Sequence, residues 1–193
     1  DELIQEESKG SLFWMGFRTR SQLPYSTLEY SISVAASVAK FFIYQNREVG
    51  LMTNDKNSSQ IMANRGERHL DKLLENLALL DANGEIPLYI LVQHVLSTVA
   101  HGSTIVLITP AIDTQIINTA IEIQRRGILP IVILIDKSTL EVTSQIGELE
   151  SNLIALGIQV IRISLGDDLK SCLETGIWNL IKENTPSQRT VLV

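Results

Sequence analysis

Seven side chains able to bind or react stand just beyond runs of β-branched or aromatic residues. Arg18 and Arg20 follow Leu12–Phe17, Thr109 and Asp113 follow Ile105–Ile108, Asp136 follows Ile128–Ile135, and Asp167 and Asp168 follow Ile158–Ile163. Such runs read as strands, and open α/β sheets bind their ligands outside the carboxyl ends of their strands. The seven residues are therefore the candidate partner-binding edge. Guanidiniums at Arg18 and Arg20 suit an acidic surface, and carboxylates such as Asp136 and Asp167 a basic one. The same residue types also serve folding alone. On that reading Asp113 and Asp167 cap the helices that follow them, Asp136 and Asp168 solvate loops, and the two arginines keep a loop soluble.

The remaining reactive residues form no catalytic set. The three histidines fall at 69, 94 and 101, so no His-x-x-x-His pair exists for zinc. His69 and His94 are expected in capping or surface roles. Cys172 is the only cysteine, which excludes an internal disulfide and a multi-cysteine zinc site. It lies on an apolar stripe, where packing rather than reactivity is expected. No two of the 11 glycines are two apart, no Gly-Lys dipeptide occurs, and no Gly-x-Ser-x-Gly elbow occurs. Dinucleotide, phosphate-loop and acyl-transfer chemistry are thus unsupported, and no catalytic residue, metal ligand or cofactor is assigned.

Charge narrows the partners further. With 16 basic and 22 acidic residues the net charge is −6, a poor match for nucleic acid or anionic lipid. At 193 residues, 45% apolar and 20% charged, the chain is long and apolar enough to fold as one domain around its own core. Its most apolar stretch, Tyr30–Tyr44, contains Ser31, Ser33, Ser37 and Lys40 and falls short of the ~20 apolar residues of a membrane span. No membrane insertion by this segment is expected. The opening Asp1-Glu2-Leu3 has neither an initiator Met nor a signal-peptide pattern, so an excised piece of a longer protein is expected.

The elements that must position the edge are legible from periodicity. Gly102, Gly127 and Gly157 each close an amphipathic stretch and open a β-branched run, the pattern of helix, left-handed cap and buried strand. Ile128–Ile135 is apolar throughout, as in a strand covered on both faces, with Pro130 near its start. Stripes at Leu70, Leu73 and Leu77, at Leu88, Leu91, Val92, Val95 and Leu96, and at Ile116, Ala120 and Ile123 predict helices. Leu169, Cys172 and Leu173 predict the last one. Ser26-Thr27-Leu28-Glu29 has the form of a capping box, predicting a helix from about Thr27 to Gln45 that carries Phe41 and Phe42 into the core. Leu12–Phe17 reads as a first strand. Glu48–Thr53 and Ser59–Ala63 flank a polar turn and predict a hairpin. Strands alternating with helices, with one antiparallel excursion, give an α/β fold: an open, mostly parallel, Rossmann-like sheet with helices on both faces. Residues 1–11 read as an acidic lead, 12–183 as the domain and 184–193 as a C-terminal tail.

This order also resembles the von Willebrand factor A-like arrangement, and the residues resemble one bacterial family in particular, domain of unknown function 58. Ser26-Thr27-Leu28-Glu29-Tyr30 with Val34–Ala39 is similar to its segment "STEEYAVxxAASLA". Arg47–Leu51 is similar to its "RxVGL", Arg65–Leu70 with Leu73–Glu75 to its "RGxxHLxxLLE", and Gly102–Thr109 to its "GSTVVLIT". Leu156-Gly157-Ile158 and Gly166–Leu169 resemble its closing segments. The likeness spans roughly residues 12 to 173.

The resemblance implies a von Willebrand A-like domain at the C-terminal end of a longer, membrane-anchored bacterial protein, with this segment on the cytoplasmic face. It also implies a non-enzymatic binding or assembly role beside a MoxR-type AAA+ ATPase. The fold's usual metal-ion-dependent adhesion site has Asp-x-Ser-x-Ser after the first strand, a later Thr, and an Asp after the fourth strand. Here the first strand is followed by Arg18-Thr19-Arg20, the threonine position is Ile86, and Thr109 is followed by Pro110, with Asp113 the nearest acid. A degenerate site that binds no metal is expected, since a hard cation requires several converging oxygens. Two other classes stay open: a Rossmann-like enzyme using Asp136, Asp167 or Asp168 on a nucleotide or sugar, and a structural domain that self-associates.

Overall fold

The β-branched runs form strands and the leucine stripes form helices. The computed structural model describes residues 26–56, 58–110, 113–137, 140–174, 176 and 190–192, without the side chains of 140–144 and 190–192. In chain order the elements are α1 (Thr27–Tyr44), β1 (Val49–Met52), β2 (Gln60–Asn64), α2 (Glu67–Ala78), α3 (Leu88–Leu96), β3 (Thr104–Thr109), α4 (Gln115–Arg125), β4 (Leu129–Asp136), α5 (Leu140–Ala155), β5 (Gln159–Ser164) and β6 (Thr190–Leu192). Residues 169–174 are helical as well. The chain is an α/β protein.

Strands β3, β4 and β5 run parallel, with Thr104 opposite Leu129 and Ile131 opposite Gln159 at their starts. Strands β1 and β2 form the expected antiparallel hairpin, irregular between Val49 and Leu51. Residues 190–192, assigned from sequence to a tail, form β6. It pairs parallel with β1 on one side and β3 on the other, giving the order β2-β1-β6-β3-β4-β5. The expected first strand, Leu12–Phe17, lies outside the described residues, as does Trp178.

Alternation along β4 divides the core in two. Ile131, Ile133 and Ile135 face α1 and α2, in a layer with Phe41, Leu73 and Leu173. Val132 and Leu134 face the other layer, with Val92 of α3, Ile123 of α4 and Leu153 of α5. Each such side chain, fully buried, contributes about 1.5–3 kcal/mol of hydrophobic stabilisation. That is why β4 is apolar without interruption.

The ends of α1, α4 and α5 follow one rule. At Gly127 (φ 67°) and Gly157 (φ 72°) the chain turns left-handed. Ile128 N–H then bonds Ile123 O at 3.3 Å, and Ile158 N–H bonds Leu153 O at 3.0 Å. These are Schellman closures, which satisfy carbonyls the helix leaves open. The end of α1 closes likewise, with Arg47 N–H on Phe42 O at 2.9 Å, but the left-handed residue is Asn46 (φ 58°). The start of α1 departs from expectation. Ser26 is at the N-cap with an extended backbone, yet its side chain makes no capping bond. Tyr30, one turn in, is buried instead, and its hydroxyl accepts from Gly166 N–H at 2.6 Å.

His69 corrects another expectation. It is buried in the first turn of α2, and its Nε2 lies 2.6 Å from Val49 O. A carbonyl only accepts, so Nε2 carries the proton. His94 is exposed as expected, 3.2 Å from Gln60 Oε1. Among the described residues, no helix is long and apolar enough to cross a membrane.

Candidate functional site

The crossing from α2 to α3 creates the site. Helix α2 packs on one face of the sheet and α3 on the other. Residues 79–87 must therefore pass over the carboxyl ends of the strands. Beneath this strap lie the carboxyl ends of β1 and β3. A cleft of about 500 Å³ opens there, between the ends of β1 and β3.

Four walls line it. The first turns of α1 bring Thr27, Leu28, Ser31 and Ala35, and the end of β1 brings Leu51, Met52, Thr53 and Asn54. The strap and the start of α3 contribute Leu80, Asp81, Gly84, Ile86 and Tyr89. Ile108, Thr109, Asp113 and Ile116 close the far side. Most of this lining is apolar, and Asp81 and Asp113 are its only charged described residues. The cleft is a mostly apolar receptacle with a minority of polar groups in its lining, the usual make-up of a ligand or docking pocket.

The strap is tied down by amides. Asn54 Nδ2 donates to Ile86 O at 2.6 Å, and Ile86 N–H donates back to Asn54 Oδ1 at 3.3 Å. Lys56 N–H donates to Asn83 Oδ1 at 3.2 Å. Gly84 lies so close to Asn54 that a Cβ would overlap its backbone oxygen and its side-chain amide. Leu80 and Ile86 of the strap are partly buried against different core layers.

Of the seven sequence-derived edge residues, the structure brings Thr109 and Asp113 to this cleft. Thr109 is buried at the end of β3. Asp113 Oδ1 accepts from Gln115 N–H at 2.9 Å and so tightens the start of α4, although Thr114 holds the N-cap position itself. Asp136 solvates no loop. It is buried at the end of β4, where Oδ2 accepts from Arg162 Nε at 3.1 Å and Nη2 at 2.5 Å. The roles of the last two acids are exchanged. Asp168, not Asp167, caps the final helix, its Oδ2 accepting from Ser171 N–H at 3.3 Å and Ser171 Oγ at 2.7 Å. Those bonds hold the Asp168 carboxyl below its usual pKa, the Ser171 hydroxyl foremost. Asp167 folds its loop back by accepting from Ser164 N–H at 2.7 Å. Arg18 and Arg20 lie outside the described residues.

The positions compared with an adhesion site depart from it in the structure as well. Ile86 supplies a hydrocarbon where an adhesion site supplies a hydroxyl, and one oxygen of Asp113 is engaged by a backbone N–H. Among the described residues, no group of three or more His, Cys, Asp or Glu side chains could hold a metal ion. Cys172 is half-buried against the α1 layer, and burial pushes its thiol pKa up, the opposite of activation. Sequence reasoning missed Asn54, which looks like any polar residue in a hairpin turn. The Asn83-Gly84 dipeptide was the available signal for a tight turn in the strap.

No family model matches the sequence, and no curated protein matches it significantly.

Proposed function

We propose that this chain is a non-enzymatic protein-interaction module of von Willebrand A-like type, with a degenerate metal-ion-dependent adhesion site, which docks its partner in the cleft between β1 and β3. The carrying observation is that the cleft sits at the carboxyl edge of the sheet, where this fold class binds, and that most of its lining is hydrocarbon. The resemblance of residues 26–39, 47–51, 65–75 and 102–109 to domain of unknown function 58 supports the same reading. On it, the chain is the C-terminal part of a longer membrane-anchored bacterial protein, at the cytoplasmic face, and its partner is a protein such as a MoxR-type AAA+ ATPase. The enzyme reading is weaker, because Asp136, Asp167 and Asp168 are engaged by an arginine and by backbone or hydroxyl donors.

Photo-crosslinking in the native cell tests the reading. A benzophenone residue replaces Tyr89, 41% exposed at the rim of the cleft, or Ile154, 56% exposed on α5. One discrete crosslinked protein is expected from position 89 and not from 154, and Ile86→Trp, which fills the cleft, abolishes it. Equal crosslinking from both positions contradicts the proposal.

A further inference from the structure

The strap is held to the domain differently from everything around it. Residues 79 and 81–85 are all exposed, Leu79 at 81%. No helix or strand runs through 79–87, and its polar ties to the hairpin turn include the Asn54–Ile86 pair and the Lys56–Asn83 bond. Those donors and acceptors are exposed, so water competes for each and every bond is worth only about 1 kcal/mol net. Segments with few buried contacts and exposed hydrogen bonds are the ones that open locally while the rest of a domain stays folded. The strap nevertheless forms one wall of the cleft through Asp81, Ala82, Gly84, Ile86 and Pro87.

We propose that residues 79–87 are a gate over the cleft and that Asn54 is its latch. The inference rests on reading the cleft as a docking site and adds how access to it is controlled. Leu80 at one end and Leu88, at the start of α3, at the other are each partly buried in their own core layer and are the fixed ends, and 81–87 swing between them, Ile86 leaving Asn54 as they do. The side-chain amide of Asn54 suits this role because it offers one donor and one acceptor to a single peptide unit pair, so both bonds break together when the strap lifts. Gly84 makes the closed position sensitive to a single methyl group, since the strap has no room there for a Cβ.

Hydrogen exchange by mass spectrometry on the full chain, with Nile red as a neutral apolar probe, tests the gate. Asn54→Ala removes both latch bonds, and exchange of amides in 80–90 is expected to accelerate by about tenfold, with 104–109 and 129–136 unchanged. Gly84→Ala wedges the strap and acts in the same direction. Conversely, a disulfide between Lys56→Cys and Asn83→Cys, in a Cys172→Ser background, slows exchange of 80–90 and reduces Nile red uptake. Wild-type exchange of 80–90 in Asn54→Ala, or loss of protection throughout the sheet, overturns the latch. Faster exchange of 80–90 with no gain in Nile red uptake leaves the latch standing and overturns the docking reading of the cleft.

Discussion

Asp136 and Arg162 face each other across β4 and β5, the guanidinium donating through Nε and Nη2 to one carboxylate oxygen, with Glu150 of α5 3.9 Å from Nη1. Asp136 is buried and Arg162 partly so. Their pairing ties the end of β4 to β5 through a buried carboxylate.

Breaking this pair is costly because it takes the guanidinium away from a buried carboxylate. Arg162→Met is expected to destabilise the chain by about 3–5 kcal/mol, read from the urea midpoint. Adding Asp136→Asn to that variant restores a large part of the loss, since the buried charge is gone. An additive double variant shows that the pair is not coupled.

The cap at Asp168 has an acid signature. Its folded-state pKa lies below the ordinary carboxyl value of 3.8, so its contribution is fully present above that value and is lost as pH falls through the folded pKa. Asp168→Ala costs about 1 kcal/mol at pH 7, and less when the pH is lowered past 4. Asp168→Asn, which caps without a charge, keeps a contribution that does not change over the same range. Urea unfolding at pH 7 and pH 3 measures both.

Two helix ends of the same geometry respond in opposite directions. Gly157→Ala, at φ 72°, costs roughly 1–2 kcal/mol because a Cβ is strained there. Asn46→Gly, at φ 58°, is stabilising by a few tenths of a kcal/mol, since glycine is the preferred left-handed residue at a helix C-terminus. Thermal unfolding of the two variants reads the two signs.

Magnesium or manganese at millimolar concentration leaves the melting temperature unchanged, and Asp113→Ala lowers it equally with or without the ion. A ligand that binds only the folded state raises the melting temperature by mass action. A metal-dependent rise abolished by Asp113→Ala would show that the cleft holds the cation after all.

Much of the fold was legible because burial dictates residue type. Ile128–Ile135 reads as a two-faced strand, and β4 is one; the leucine stripes read as helices, and Leu73, Val92 and Ile123 are fully buried. The hairpin was legible from its polar turn. Two features were not. The strand 190–192 is three residues long, too short to carry a period, and only its pairing with β1 and β3 defines it. The site was half legible: Thr109, Asp113 and Ile86 were singled out and meet at the cleft, whereas Leu51, Ala35 and Leu80 look like any core residue until the strap's path leaves a gap above them. The partners of the carboxylates were not legible, because Arg162 and Ser164 are distant or unremarkable in sequence.

The most direct measurement is hydrogen exchange of the chain bound to the protein captured by crosslinking from position 89. Protection on binding is expected at 51–54, 80–90 and 107–110, the walls of the cleft, with the outer strand β2 and the C-terminal ends of α4 and α5 unaltered. Protection confined to β2 or to those opposite helix ends, with the cleft segments exchanging as in the free chain, would contradict the account.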